Sequence, residues 1–311
     1  MTGCIKEFKT IEQQVDILRE KGLKITDEEK TKDILLRENY FFINGYRFMF
    51  FKSDKDRRFI EGTTFEELYG LFVFDRNIRN ILFKNLLIVE NNVKSIFSYQ
   101  LSKKYGYKEK DYLKLENFTS DISKSRQVSD VINKMKRQIR VNGKKHSATL
   151  HYLTNYGYIP MWILVKVLSF GIISELYNIL KYEDQRDISS FYKISEIDMA
   201  VFLPLMSNYR NLCAHEDMLY NHKTQRAIPN NKYHEQLNIE KVDEEYKYGK
   251  NDLYALVMML KYMLREEEFR LLIYELGYEI DLLDEKINSV PLTKILEDLG
   301  FPSNWKDIAE M

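Results

Sequence analysis

The densest group of residues that could carry out chemistry is the segment YRNLCAHEDMLYNH, residues 209–222. In it, Arg210 and His215 are five residues apart. An imidazole with its ordinary pKa of about 6.5 exchanges protons near neutral pH, and a guanidinium binds phosphate oxygens bidentately. A five-residue step on an ideal helix turns by about 140°. The two side chains therefore meet only at a helix end or across two subunits, and by spacing alone a structural Arg beside a satisfied His is the commoner interpretation.

Two other kinds of chemistry, metal binding and nucleophilic attack by a cysteine, match the residues of this segment less well. His215, Glu216, Asp217 and His222 are all types of metal ligand, but their spacing matches no zinc pattern such as H-E-x-x-H, and we predict no metal. Cys213 is a candidate nucleophile. A small Cys in an apolar helical turn is more often buried and inert.

A second candidate site is the segment NKMKRQIRVNGKKH, residues 133–146, which contains six basic residues and no acidic one. A solvated helix face is one interpretation. The sharper one is a strip that binds phosphate groups through a local positive field. Its basic residues are Lys134, Lys136, Arg137, Arg140, Lys144 and Lys145.

The charge of the whole chain conceals an uneven distribution. The 47 basic and 47 acidic residues give a formal net charge of zero, which by itself argues against a nucleic-acid partner. Residues 235–311, however, contain 18 acidic and 9 basic side chains, so residues 1–234 carry the opposite excess. This asymmetry indicates a basic working body beside an acidic segment.

The composition predicts an all-α protein. Only 12 Gly and 5 Pro accompany 44% hydrophobic residues, fewer turn-forming residues than β-sandwiches or Rossmann sheets need. Cys4 and Cys213 form neither a disulfide framework nor a zinc site. The N-terminus lacks an apolar signal region and the longest apolar runs are too short to span a bilayer, so we expect a cytoplasmic protein without a membrane partner.

Capping signals and apolar periodicity predict the helices that must position these residues. Thr10 begins a helix to Glu20, and Thr26 with Glu29 begins another to about Glu38. Thr64 with Glu67 begins a long helix to about Lys104, with one break allowed.

The later helices carry the candidate active-site segment and the acidic region. Ser195 with Asp198 caps a helix that Pro204 should bend or interrupt. Residues 252–283 read as one long helix. The aromatic segment NYFFINGYRFMF, residues 39–50, reads mainly as core, with a nucleotide-stacking surface as the alternative.

Several segments together resemble one protein family. RNLCAH resembles the R-x4-6-H motif of ribonucleases of the HEPN superfamily. The chain as a whole is similar to Abi-like abortive-infection proteins of the AbiD/AbiF type. This similarity rests on residues 22–50, 65–95, 168–180, 210–221 and 299–305.

The resemblance implies a HEPN-like helical bundle with additional N-terminal and C-terminal helices. The expected regions are an N-terminal helical region (1–62), a HEPN-like core (63–234) with a basic insertion near 105–150, and an acidic C-terminal helical region (235–311) packed on the core.

The resemblance also implies a function: a bacterial anti-phage protein acting as a metal-independent endoribonuclease without a cofactor. His215 would be the general acid or base, and Arg210 would stabilise the scissile phosphate. Asn211 would orient His215 or the phosphate. Glu216, Tyr220 and His222 are possible accessory residues. The products would be a 2′,3′-cyclic phosphate and a 5′-hydroxyl.

The implied partners follow from the single copy of the motif. Because HEPN sites combine two motifs, the resemblance implies a homodimer with a composite site. The alternative is a non-catalytic RNA-binding protein held by a small non-coding RNA or a protein partner.

Overall fold

The computed structural model describes residues 7–53 and 55–311; residues 1–6, which include Cys4, lie outside the described part. The predicted all-α class is confirmed, since the described chain is a helical bundle. Its one β-hairpin has two residues in each strand, β1 (Lys241–Val242) and β2 (Glu245–Tyr246). Short 3-10 segments cover Gly45–Phe50, Leu115–Asn117, Ile122–Lys124, Ser190–Tyr192 and Trp305–Glu310. The α-helices are α1 (Ile11–Glu20), α2 (Glu28–Glu38), α3 (Tyr40–Asn44), α4 (Phe65–Tyr105), α5 (Glu109–Tyr112), α6 (Ser125–Asn142), α7 (Ser147–Tyr156), α8 (Met161–Val167), α9 (Phe170–Ile179), α10 (Tyr182–Ser189), α11 (Glu196–Ala214), α12 (Lys232–Gln236), α13 (Leu253–Met263), α14 (Glu266–Asp284) and α15 (Leu292–Leu299).

Helix α4 is the axis of the bundle. It begins at the predicted capping box, in which the Glu67 amide donates to the Thr64 hydroxyl and the Thr64 amide donates to the Glu67 carboxylate. It then runs unbroken for 41 residues, about 60 Å. Its predicted apolar stripe is buried, and α8, α10, α11, α13 and α14 pack around it.

Helix α11 carries the Arg210 segment. Its predicted start is confirmed, because the Ser195 hydroxyl accepts a hydrogen bond from the Asp198 amide at 2.9 Å. Of the two effects predicted for Pro204, a bend or an interruption, the interruption is wrong, because the helix continues to Ala214. The missing proline N–H removes one backbone hydrogen bond, and packing of α11 against α4, α9, α10 and α13 maintains the helix.

The prediction of one helix over residues 252–283 is also wrong. Leu264 and Arg265 adopt extended backbone and separate α13 from α14. A new helix start forms there because the Arg265 amide donates to Glu268 at 3.0 Å, and three glutamates occupy the first turn. Acidic side chains are favoured at the positive end of the helix dipole, which stabilises the break.

The N-terminal region differs from prediction in one cap. Helix α2 is capped not by Thr26 but by Asp27, whose carboxylate accepts a hydrogen bond from the Lys30 amide. The Thr26 hydroxyl instead donates to Glu66 at the start of α4. Local spacing cannot distinguish two adjacent capping residues when one of them has a tertiary partner.

The aromatic segment 39–50 is only partly core. Ile43, Tyr46, Met49 and Phe50 are buried as predicted, whereas Phe41, Phe42 and Phe48 are more than half exposed. The segment folds into α3 and a 3-10 turn, and one side of this compact unit faces outward.

The C-terminal helices pack closely on the rest of the chain. Helix α14 lies along α4, with Lys84 paired to Glu275 at 2.6 Å and the Asn77 amide group donating to Glu279 at 2.8 Å. The Tyr209 hydroxyl of α11 donates to the Asp252 carbonyl at the start of α13. Among the described residues, every helix is too short or too polar to cross a membrane.

Candidate active site

Arg210, Asn211 and His215 all lie at the C-terminal end of α11. Arg210 and Asn211 are helical, whereas His215 is the residue at which the helix ends, its amide bonded to the Asn211 carbonyl. Asn211 and His215 are exposed, and the His215 ring makes no hydrogen bond within the described part of the chain. The imidazole is therefore accessible to a substrate.

The turn after His215 is a Schellman motif formed without glycine. The Asp217 amide donates to the Leu212 carbonyl and the Glu216 amide donates to the Cys213 carbonyl. Glu216 has a φ of 58°, the left-handed region that glycine usually occupies. This strained residue directly follows His215.

Arg210 is held in place by two groups on α4. Its Nε donates to Glu90 Oε2 at 3.1 Å, and its guanidinium lies 5.6 Å from the centre of the Phe83 ring. Glu90 is nearly buried and also accepts from Lys94 at 2.7 Å. With Nε bound to Glu90, both terminal nitrogens of Arg210 remain for a phosphate, and Lys94 adds a second positive charge.

A buried polar network fixes the chain immediately beyond the motif. Asp75, fully buried on α4, accepts hydrogen bonds from the Tyr46 hydroxyl, Arg79 and the Leu219 amide. Arg79 also donates to the Asp217 carbonyl at 2.9 Å. The turn that contains Glu216 is thereby attached to α4.

The possible accessory residues have different environments. Glu216 is exposed, whereas Tyr220 is 3% exposed and its ring packs against Tyr46, so this tyrosine is a core residue in this arrangement. The His222 ring lies edge-on to Tyr209 at 5.3 Å, and burial lowers the pKa of His222.

The described residues place neither a reactive thiol nor a metal-binding cluster at this site. Burial raises the pKa of Cys213 to about 12, which keeps the thiol protonated at neutral pH. Within residues 7–53 and 55–311, no group of three or more His, Cys, Asp or Glu side chains is arranged to hold a metal ion.

The six basic residues of the strip lie on α6 and the turn before α7. Lys134 pairs with Glu175 on α9 at 2.6 Å. The other five are exposed and make no ion pair with any described residue. Helix α6 packs on α9 through its buried residues Val128, Val131, Ile132 and Met135, so the charged side faces outward.

Sequence reasoning missed Glu90, Lys94 and Phe83 as neighbours of Arg210. A signal existed for Glu90, which lies four residues after Leu86 and three before Val93, within the apolar stripe of α4. A carboxylate at such a position needs a cationic partner. The identity of the partner, 120 residues away, depends on the tertiary fold.

The chain was compared with known protein families. The profile described as Abi-like protein matches residues 33–221, which include α4, α11 and the complete Arg210–His215 motif. The chain belongs to the Abi-like protein family. Family membership assigns it to the abortive-infection type of protein. Neither a curated protein nor a solved structure matches the chain.

Proposed function

We propose that this Abi-like protein is a metal-independent HEPN endoribonuclease of anti-phage defence, with a composite active site in a homodimer. The observation that carries the proposal is the orientation of Arg210. Its Nε is bound to Glu90 and its terminal nitrogens are left for a phosphate, five residues before an exposed His215.

The reaction is transfer of the phosphoryl group to the neighbouring 2′-oxygen. One His215 removes the proton from the 2′-hydroxyl as the bond from O2′ to phosphorus forms. The bond from phosphorus to O5′ breaks, and O5′ receives a proton from a second imidazole. Two copies of the motif supply both imidazoles, which is the chemical reason for a homodimer.

The remaining polar groups stabilise charge. Arg210 binds the non-bridging phosphate oxygens and stabilises the charge that develops on them. Asn211, one residue along the exposed end of α11, orients the phosphate or the imidazole. The products are a 2′,3′-cyclic phosphate and a 5′-hydroxyl.

The first prediction concerns cleavage of RNA in EDTA. We expect wild-type protein to cut single-stranded RNA, and His215→Ala and Arg210→Ala each to lower kcat by about 100-fold or more. His151→Ala, at an exposed histidine on α7, is the matched control and should cut normally. Sedimentation of the purified protein tests whether it forms the proposed homodimer. Undiminished cleavage in both motif variants would refute the site.

A second candidate function is RNA binding without catalysis, with the protein held by a small non-coding RNA or a protein partner. It is favoured by the five exposed basic side chains of α6 and the turn before α7, which make no ion pair with any described residue. The combined variant Lys136→Gln, Arg137→Gln and Arg140→Gln separates the two functions. Loss of defence in this variant, with full defence in His215→Ala, would favour RNA binding alone.

A further inference from the structure

A large cavity lies beside the turn that follows His215. Its volume is about 570 Å³, within the roughly 300–1,000 Å³ of small-molecule sites. One wall is the segment 37–48, the second is formed by Phe72, Arg76 and Arg79 of α4, and the third is residues 216–218. The cavity therefore shares the Glu216 turn with the candidate active site.

The cavity presents aromatic surface to solvent. Phe41 is 75% exposed, Phe42 54% and Phe48 52%, and all three line the cavity. Single exposed apolar residues are ordinary, but three phenylalanines around one concave site form a surface on which flat rings can stack.

Arg47 is the cation of this cavity that lacks a carboxylate partner among the described residues. Arg37 pairs with Asp33, Arg76 with Glu38 and Arg79 with Asp75. The Arg47 guanidinium instead lies over the Phe48 ring at 5.0 Å.

Two enclosed polar atoms of the same wall lack hydrogen-bond partners among the described residues. They are Arg47 Nε, a donor, and Asn44 Oδ1, an acceptor. Rotation of these side chains towards a polar ligand would satisfy both atoms, whose unpaired state is unfavourable. Asn39, on the rim, has a φ of 64°, a strained conformation of the kind found in ligand clamps.

We propose that this cavity binds one unpaired nucleotide of the RNA strand that the enzyme cleaves, with the base on Phe41 and Phe48 and the phosphate at Arg47. The inference rests on the proposed ribonuclease function and names the subsite that positions the strand. An aromatic surface accepts any base, while an unpaired guanidinium selects for the adjacent phosphate.

The experiment uses full-length protein carrying His215→Ala, so that the RNA stays intact. A short oligoribonucleotide containing 2-aminopurine reports affinity by anisotropy and stacking by quenching of its fluorescence. We expect Phe41→Ala and Arg47→Gln each to weaken binding by roughly tenfold and to abolish quenching. Phe191→Ala, at a phenylalanine that is 54% exposed and lies outside the cavity, is the control and should bind normally.

The outcomes test the nucleotide-binding pocket separately from the proposed ribonuclease activity. Loss of quenching in both cavity variants would support the pocket even if wild-type protein failed to cut RNA. Unchanged affinity and quenching in Phe41→Ala, an exposed position where misfolding is not at issue, would overturn it. Displacement of the quenched base by AMP in the His215→Ala protein would support it. Tight AMP binding with unchanged RNA affinity in both variants would overturn the RNA assignment.

Discussion

At the scale of single residues, Glu90 determines how Arg210 presents its charge. The nearly buried carboxylate binds Arg210 Nε on one side and Lys94 on the other. In the proposed site it is a positioning residue, because it binds the Arg210 guanidinium while being itself nearly buried. Its negative charge also opposes the binding of a phosphate.

This double role predicts opposite effects of Glu90→Gln on catalysis and binding. Removing the charge should tighten RNA binding, while the loosened guanidinium lowers kcat by about 10- to 100-fold. Separate measurement of kcat and KM on one RNA tests this. Glu275→Gln, which removes a comparable lysine-paired glutamate on α14, should change neither. A normal kcat in Glu90→Gln would contradict the positioning role.

Glu216 is a second residue whose local conformation can be tested. A non-glycine residue in left-handed conformation is strained by roughly 1–2 kcal/mol, and the greater freedom of glycine in the unfolded chain offsets about 0.4–1 kcal/mol. Glu216→Gly should therefore raise the free energy of unfolding by about 0.5–1 kcal/mol. Urea denaturation measures it.

The control for Glu216 is Lys193→Gly, at another left-handed position with a φ of 54°. Both variants should become more stable. Only Glu216→Gly should also lower RNA cleavage, because glycine gives more conformational freedom to the turn that directly follows His215. Equal activity of the two variants would remove any functional meaning from the strain at Glu216.

At the scale of elements, the start of α13 and the end of α15 depend on each other. Gly300 has a φ of 81°, and a Cβ there would lie 2.1 Å from Asp252 Cγ. The Asp252 carboxylate accepts the Gly249 and Ala255 amides, and the Asp252 carbonyl accepts the Tyr209 hydroxyl of α11. The turn that ends α15 thus supports the helix that carries Arg210.

Gly300→Ala should lower the free energy of unfolding by about 2–5 kcal/mol, as backbone strain and overpacking combine. Gly157→Ala is the matched control, because its φ is 76° and no described atom lies within 4 Å of an added Cβ. It should lose only the roughly 1–2 kcal/mol of backbone strain. Equal losses in denaturant titrations would show that the contact with Asp252 is unimportant.

The elements also show what the sequence could predict. The capping boxes at Thr10 and Thr64 and the cap at Ser195 were predictable because both partners lie within three residues. The break at Leu264 was missed because apolar periodicity continues across it, although the run Glu266–Glu268 marked a new helix start. The cavity could not be predicted, because the side of α3 that is left uncovered depends on residues 72–79 and 216–218.

At the scale of the whole molecule, charge is unevenly distributed, and this distribution would govern the approach of the proposed RNA substrate. The acidic excess of residues 235–311 balances the basic excess of the remainder. Part of this acidic excess is exposed at the end of α14, at Asp281, Asp284 and Glu285. We expect these acids to restrain nonspecific binding of RNA by long-range repulsion.

Neutralising Asp281, Asp284 and Glu285 to their amides should therefore strengthen nonspecific RNA binding and steepen its dependence on salt. Affinity measured across a salt series tests this. The charge-matched control neutralises three exposed acids of the N-terminal region, Asp16, Glu20 and Glu29. An equal response in the two triple variants would attribute the effect to net charge rather than to the acidic region.

The attachment of α11 to α4 has a consequence for the length of the motif. The two helices run in opposite directions, with Glu90 holding Arg210 and Asp75 holding the Leu219 amide. These anchors are about 22 Å apart along α4. A residue inserted or deleted between Arg210 and Leu219 would displace one end from its anchor. The rigid helix α4 therefore fixes the number of residues between Arg210 and the turn that follows His215.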